Sequence, residues 1–245
     1  MKIIPAILPQ RYREIEQAVE RIAGGPETIQ IDFVDGHFAQ NKTWLFNGKD
    51  EEIIGEFERE ERGLPQWQER NYELDLMIKN PLPQIDKFLM LGPSKIILHV
   101  ESLDPAQTVS YFEQLPEIVR GTVSFGIAIG IYTDPETIRP YLPFIKSIQC
   151  MGIAVIGYQG QPFDPKAIEQ VAKLKALYPD KIISVDGAVD EENIASLAKA
   201  GATEFIVGSA IFESGDPRGT IQMLKRICKT ATTTEIIKES TASEN

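Results

Sequence analysis

Three aspartates in this sequence sit where a carboxylate is costly unless it has work to do. Each lies in a short run whose apolar residues alternate, and successive side chains of a strand point to opposite faces. In 28–34 the apolar set is Ile29, Ile31 and Phe33, which turns Gln30 and Asp32 to the other face. In 73–77 Leu74 and Leu76 turn Glu73 and Asp75 the same way, and in 183–186 Ile183 and Val185 turn Ser184 and Asp186 with them. The parity of Ile96, Leu98 and Val100 adds His99. A buried charge needs a partner or a metal. Carboxylates brought together can divide the roles of proton acceptor and proton donor, because crowding raises the pKa of at least one of them. A single aspartate at such a place could simply cap the next helix or turn. Three with matching parity favour a site.

The elements that must position them follow from the same periodicities. Candidate strands are 2–8, 28–34, 72–77, 95–100, 123–131, 144–151, 181–186 and 204–208, and helical patterns fall at 12–22, 83–91, 106–119, 165–177, 191–200 and 220–228. Strands alternating with helices predict a parallel α/β architecture, and eight strands suit a (β/α)8 TIM barrel, whose active sites lie at the C-terminal ends of the strands. A doubly wound open sheet also alternates in this way. The single barrel domain is expected over 1–228, with 229–245, rich in Thr, Ser and Glu, as a flexible tail. The segment 41–70 is long for a connection; it holds Trp44, Trp67 and a charged stretch, 49–62, that reads as a surface helix. On strand five the inward set Gly126, Ala128 and Gly130 is small, which serves either a ligand or close packing.

Composition narrows the classes of function. The 245 residues carry a net charge of −11, which argues against a nucleic-acid or anionic-membrane surface. A small phosphate remains compatible, since backbone N–H groups can hold it. Two cysteines, Cys150 and Cys228, make neither a disulfide framework nor a metal-ligand spacing, so a reducing cytoplasm is expected. No apolar run has signal-peptide or membrane-spanning character.

Six segments, in order, resemble motifs of the ribulose-phosphate 3-epimerase family: Ile31-Asp32-Phe33-Val34-Asp35-Gly36-His37-Phe38, Asp75-Leu76-Met77-Ile78-Lys79-Asn80-Pro81, His99-Val100-Glu101, Gly157-Tyr158-Gln159-Gly160-Gln161-Pro162-Phe163, Val185-Asp186-Gly187 and Gly208-Ser209-Ala210-Ile211-Phe212. The resemblance implies a barrel of the ribulose-phosphate-binding type. It implies interconversion of D-ribulose 5-phosphate and D-xylulose 5-phosphate by proton transfer at C3. Asp32 and Asp186 would be the catalytic pair, and Gln30, Asp32, Asp75 and Asp186 occupy the family's metal-ligand positions. It departs from the family at both metal-ligand histidines, which are Gln30 and Asp75 here. It departs again at Ala6, where a serine is expected, and at Ala188, where a second glycine is expected. The divalent metal implied is Mg, Mn or Zn, and an all-oxygen set moves the preference away from zinc toward Mg, Mn or Ca.

Gly187, Ala188, Gly208 and Ser209 are expected to bind the phosphate. Ala6, His99, Met151, Gly157 and Gly160 are expected around the rest of the sugar. For His99 a core role stays open beside contact with a substrate hydroxyl. The expected partner is a small sugar phosphate, with neither nucleic acid nor membrane, and a homo-oligomer is left open. The altered ligands keep two alternatives in play: another sugar-phosphate isomerase or lyase, which would want a lysine in the mouth, and a non-catalytic phosphosugar-binding barrel.

Overall fold

The computed structural model describes the backbone of residues 1–158 and 160–242, with side chains up to position 231. Eight parallel strands close into a barrel in chain order. They are β1 (Lys2–Ile7), β2 (Thr28–Val34), β3 (Asn71–Met77), β4 (Lys95–His99), β5 (Ser124–Ile129), β6 (Ser147–Met151), β7 (Ile182–Asp186) and β8 (Glu204–Val207). Closure comes from β1 pairing with β8, with Lys2 opposite Glu204. The helices are α1 (Tyr12–Arg21), α2 (Glu51–Glu58), α3 (Ile85–Leu89), α4 (Pro105–Gln114), α5 (Glu117–Thr122), α6 (Lys166–Leu177), α7 (Ile194–Lys199), α8 (Ser209–Phe212) and α9 (Pro217–Ala242). A 3-10 segment, Pro135–Tyr141, takes the place of a helix between β5 and β6.

The expected strands match the observed ones to within three residues at either end. The helix expected over 106–119 is instead two, α4 and α5. Pro116 lacks an N–H and forces Leu115 into an extended conformation, ψ 132°, so the helix stops and restarts. The final helix, α9, runs to Ala242, so the backbone is helical through most of the segment whose composition reads as a tail. Among the described residues no helix is long and apolar enough to cross a membrane.

Side-chain alternation divides the apolar residues into two populations. Ile29, Ile31, Phe33, Leu74, Leu76, Ile183 and Val185 belong to the large cluster between strands and helices. The inward apolar residues form separate small clusters, Ile4 with Ala6 and Ile206, and Ile97 with Ala128 and Met151. The long connection between β2 and β3 is anchored by Trp44, fully buried against Tyr12, Phe33 and Phe57, whereas Trp67 is 62% exposed. Thr43 pins its start: the Val34 N–H donates to Thr43 Oγ1 at 2.9 Å.

At the N-terminal end of the barrel the inward residues are charged and paired. Lys95 Nζ lies 3.0 Å from Glu73 Oε1 and 3.2 Å from Glu204 Oε2, and Lys2 Nζ lies 3.0 Å from Glu204 Oε1.

Candidate active site

At the other end, β2, β3 and β7 bring Asp32, Asp75 and Asp186 together. One oxygen of each lies within 4.8 Å of the others, and all three side chains are buried. Among the described residues no lysine or arginine joins them; amides and an imidazole do. Gln30 Nε2 donates to Asp32 Oδ1 and to Asp186 Oδ2, both at 2.9 Å. Gln149 Nε2 donates to Asp75 Oδ2 at 3.0 Å and to Asp186 Oδ2 at 3.2 Å. His99 Nε2 lies 3.0 Å from Asp75 Oδ1.

Burial and crowding set the protonation of this cluster. Burial pushes Asp32 well above the usual carboxylate range, and the charges of Asp186 and Asp75 add to it. Burial, followed by the charge of Asp75, pushes Asp186 up to about 7. For His99 burial would favour the neutral ring, but the charge and hydrogen bond of Asp75 outweigh it, so its pKa is raised. Three carboxylates this close cannot all stay ionised near neutral pH without a compensating cation. Burial and crowding therefore favour keeping a proton within this cluster, on a carboxyl or on His99.

Above the carboxylates opens a recess with about 570 Å³ of empty space, part of it continuous with solvent. Ten of the residues singled out from sequence line it: Ala6, Asp32, Met151, Gly157, Gly160, Asp186, Gly187, Ala188, Gly208 and Ser209. Gln30 and Asp75 lie outside that lining and contact the others from within the barrel. His99 lines a neighbouring recess, with Phe38, Tyr132 and Met151, and its ring packs on Phe38 at 5.2 Å. Among the described lining residues there is no Lys or Arg.

The glycine-rich rim is tightly built. Gly152 N–H donates to Asp186 O at 2.6 Å, and a Cβ at Gly152 would stand 2.1 Å from Gly187 O, so the loops after β6 and β7 meet backbone to backbone. Ala188 follows Gly187 in the left-handed region, φ 52°, where a glycine would be unstrained. Asp35 ties the neighbouring loops: its Oδ1 accepts from the N–H groups of His37 and Phe38, and its Oδ2 from Lys79 N–H at 2.9 Å.

Gln149 was missed by the sequence reading. The signal was there, because Ile148 and Cys150 alternate with Ser147, Gln149 and Met151. The small set on strand five proves to serve packing at one position at least: a Cβ at Gly126 would stand 2.7 Å from Ser147 Oγ.

A closed eight-stranded parallel barrel with an acidic floor and a glycine-built rim is a TIM barrel, the architecture of its enzyme structural neighbours. Residues 2–212 match the model of the ribulose-phosphate 3 epimerase family, an isomerase family, and the chain belongs to it. It is 29% identical over 238 residues to a ribulose-phosphate 3-epimerase of Aquifex aeolicus, covering 94% of this chain and 99% of that one. It is 26% identical over 231 residues to the enzyme of the same name from Helicobacter pylori strain J99, covering 93% and 98%. Among solved structures, "KGPDC from Streptococcus mutans in complex with D-R5P" superposes with a TM-score of 0.68 at 13% identity, covering 94% of this chain and 97% of that one, a likeness of fold.

Proposed function

We propose that the protein epimerises a ketopentose 5-phosphate at C3, interconverting D-ribulose 5-phosphate and D-xylulose 5-phosphate, with Asp32 and Asp186 as the proton-transfer pair. The observation that carries this reading is the placement of both carboxyls in one recess, buried, sharing the Gln30 amide and with raised pKa. The ionised carboxylate of the pair takes the C3 proton, which is acidic because it lies α to the C2 carbonyl. The electron pair moves into C2=C3 and leaves negative charge on the carbonyl oxygen. The protonated carboxyl then returns a proton to the opposite face of C3, and the carbonyl reforms. Backbone N–H groups at Gly187–Ala188 and Gly208–Ser209, with the Ser209 hydroxyl, hold the phosphate without cationic side chains.

The donor set fits a hard divalent cation. Gln30 Oε1 is buried and has no hydrogen-bond partner, and an amide can exchange its oxygen and nitrogen by rotating its last torsion. Gln30, Asp32, Asp75 and Asp186 would then offer four oxygens, the two Gln30 hydrogen bonds to Asp32 and Asp186 giving way to the ion, a set that suits Mg or Mn better than zinc. Such an ion would steady negative charge on the substrate oxygens. Among the described residues the inward lysines are Lys2, bound to Glu204, and Lys95, bound to Glu73 and Glu204, both at the far end of the barrel from a Schiff-base site at the mouth.

The test is proton exchange in D2O with ribulose 5-phosphate, followed by NMR, with and without Mg or Mn, on the wild type and Asp186→Asn. Deuterium at C3 with the wild type alone is the expected result. Absence of exchange in the folded wild type under every metal condition would overturn the proposal.

A further inference from the structure

Gln149 is a long polar side chain that is 1% exposed inside the barrel. The register sets it between Ala128 of β5 and Ser184 of β7. Both neighbours are small, which leaves room for the side chain to extend across the interior. It reaches Asp75 on β3, three strands away round the barrel, while also touching Asp186 on the adjacent β7. One NH2 group thus spans two carboxylates that would otherwise repel each other.

The arrangement is directional. Both oxygens of Asp75 are occupied, Oδ1 by His99 and Oδ2 by Gln149. On Asp186 the amides of Gln30 and Gln149 converge on the same oxygen, Oδ2. That convergence fixes the rotation of the Asp186 carboxyl about its last torsion. An apolar residue of equal length would fill the same space and leave Asp75 Oδ2 without this donor, a loss that is costly for a buried acceptor.

We propose that Gln149 is a positioning residue for proton transfer, holding Asp186 through Oδ2 so that its carboxyl stays aimed at C3. The inference rests on the epimerase reading above. In the direction where Asp32 takes the C3 proton, the C3–H bond breaks toward Asp32 and the O–H bond of Asp186 breaks as its proton passes to the opposite face; in the reverse direction the two exchange roles. Gln149 touches neither the phosphate loops nor the reacting carbon. Its loss therefore falls on turnover and leaves substrate binding in place. A misaimed Asp186 delivers its proton late, so more of the enediolate takes a proton back from Asp32, and deuterium from solvent enters recovered substrate.

The experiment compares wild type with Gln149→Met, which keeps length and loses the donor, and Gln149→Asn, which keeps the amide and loses reach. Ser147→Ala, on the same strand but outside the cluster, controls for packing. Kinetics with ribulose 5-phosphate are read together with the ratio of deuterium in recovered substrate to product formed. The expected result is a kcat lowered ~10- to 100-fold in Gln149→Met, as misplacement of a reacting group produces. KM should stay within about twofold, the exchange ratio should rise, and Gln149→Asn should fall between the two. An unchanged kcat and ratio in either folded Gln149 variant, or an equal fall in Ser147→Ala, would overturn the role of Gln149 and leave the epimerase reading intact. A wild type that neither exchanges nor converts would overturn both. If Gln149→Met does not fold, Gln149→Asn alone decides.

Discussion

The barrel interior has two polar floors, and they are built on opposite plans. At the N-terminal end Lys2 and Lys95 face Glu73 and Glu204, two cations against two anions, all within 3.2 Å of a partner. At the C-terminal end Asp32, Asp75 and Asp186 face one histidine and two amides. Lys95, Glu73 and Glu204 are as buried as the three aspartates, with only Lys2 reaching solvent, so burial alone does not separate the two floors. Pairing does. Burial would raise Glu204, yet Lys95 and Lys2 bring it below its ordinary value; at Glu73 burial still outweighs Lys95 and the group is raised, while Asp186 is pushed up to about 7. The balanced floor holds strands together. The unbalanced one keeps a proton in play, which a stabilising element has no need to do.

The largest expected effect breaks the unbalanced floor. Asp186→Asn should lower C3 exchange by ~10²- to 10⁴-fold, the usual contribution of a positioned acid or base, while raising the melting temperature at pH 8 by removing one of three like charges. Exchange at the wild-type rate would show that Asp186 has no part in the chemistry. Lys95→Met should do the reverse at the balanced floor. It strands Glu73 and weakens the hold on Glu204, for a loss of ~3–5 kcal/mol in urea unfolding. The residual folded protein should keep the wild-type kcat.

A third measurement sharpens the contrast through pH. The folded pKa of Asp186, about 7, lies above its ordinary value of 3.8. The native state therefore holds a proton that the unfolded chain releases. That contribution to stability is complete below the ordinary value and is lost as pH rises through 7, with a slope of up to ~1.4 kcal/mol per pH unit for each proton. Chelator-treated protein should accordingly melt at lower temperature at pH 8 than at pH 5.5. Added Mn should restore stability mainly at pH 8, because the cation competes with protons for the same oxygens; equal stabilisation at both values would contradict a site among these carboxylates. The smallest effect is at the rim. Ala188→Gly should relieve the left-handed backbone, φ 52°, and gain no more than about 1 kcal/mol, read as a modest rise in the urea midpoint.

Much of the mouth was legible because a strand has a period of two. The alternation around Asp32, Asp75, Asp186 and His99 placed all four on the inner face, where the structure has them. The same parity over 147–151 puts Gln149 on the inner face as well, so its place too is carried by the sequence. Other features had no local signature. Nothing in the residues around Trp44 and Trp67 distinguishes the one that packs on Tyr12 and Phe33 from the one that faces solvent. The break at Pro116 was readable from the proline. The left-handed turn at Ala188 was not, because an alanine does not announce it.

The sequence by itself determined the alternation of strand and helix, the inward face of each strand, and the supply of carboxylates to that face, since these depend on neighbours a few residues apart. Only the tertiary structure decided which inward residues meet. Lys95 reaches Glu204 across 109 positions, and Gln30 reaches Asp186 across 156. Those pairings are set by the register and closure of the barrel, and electrostatic energies depend on distances that periodicity does not contain.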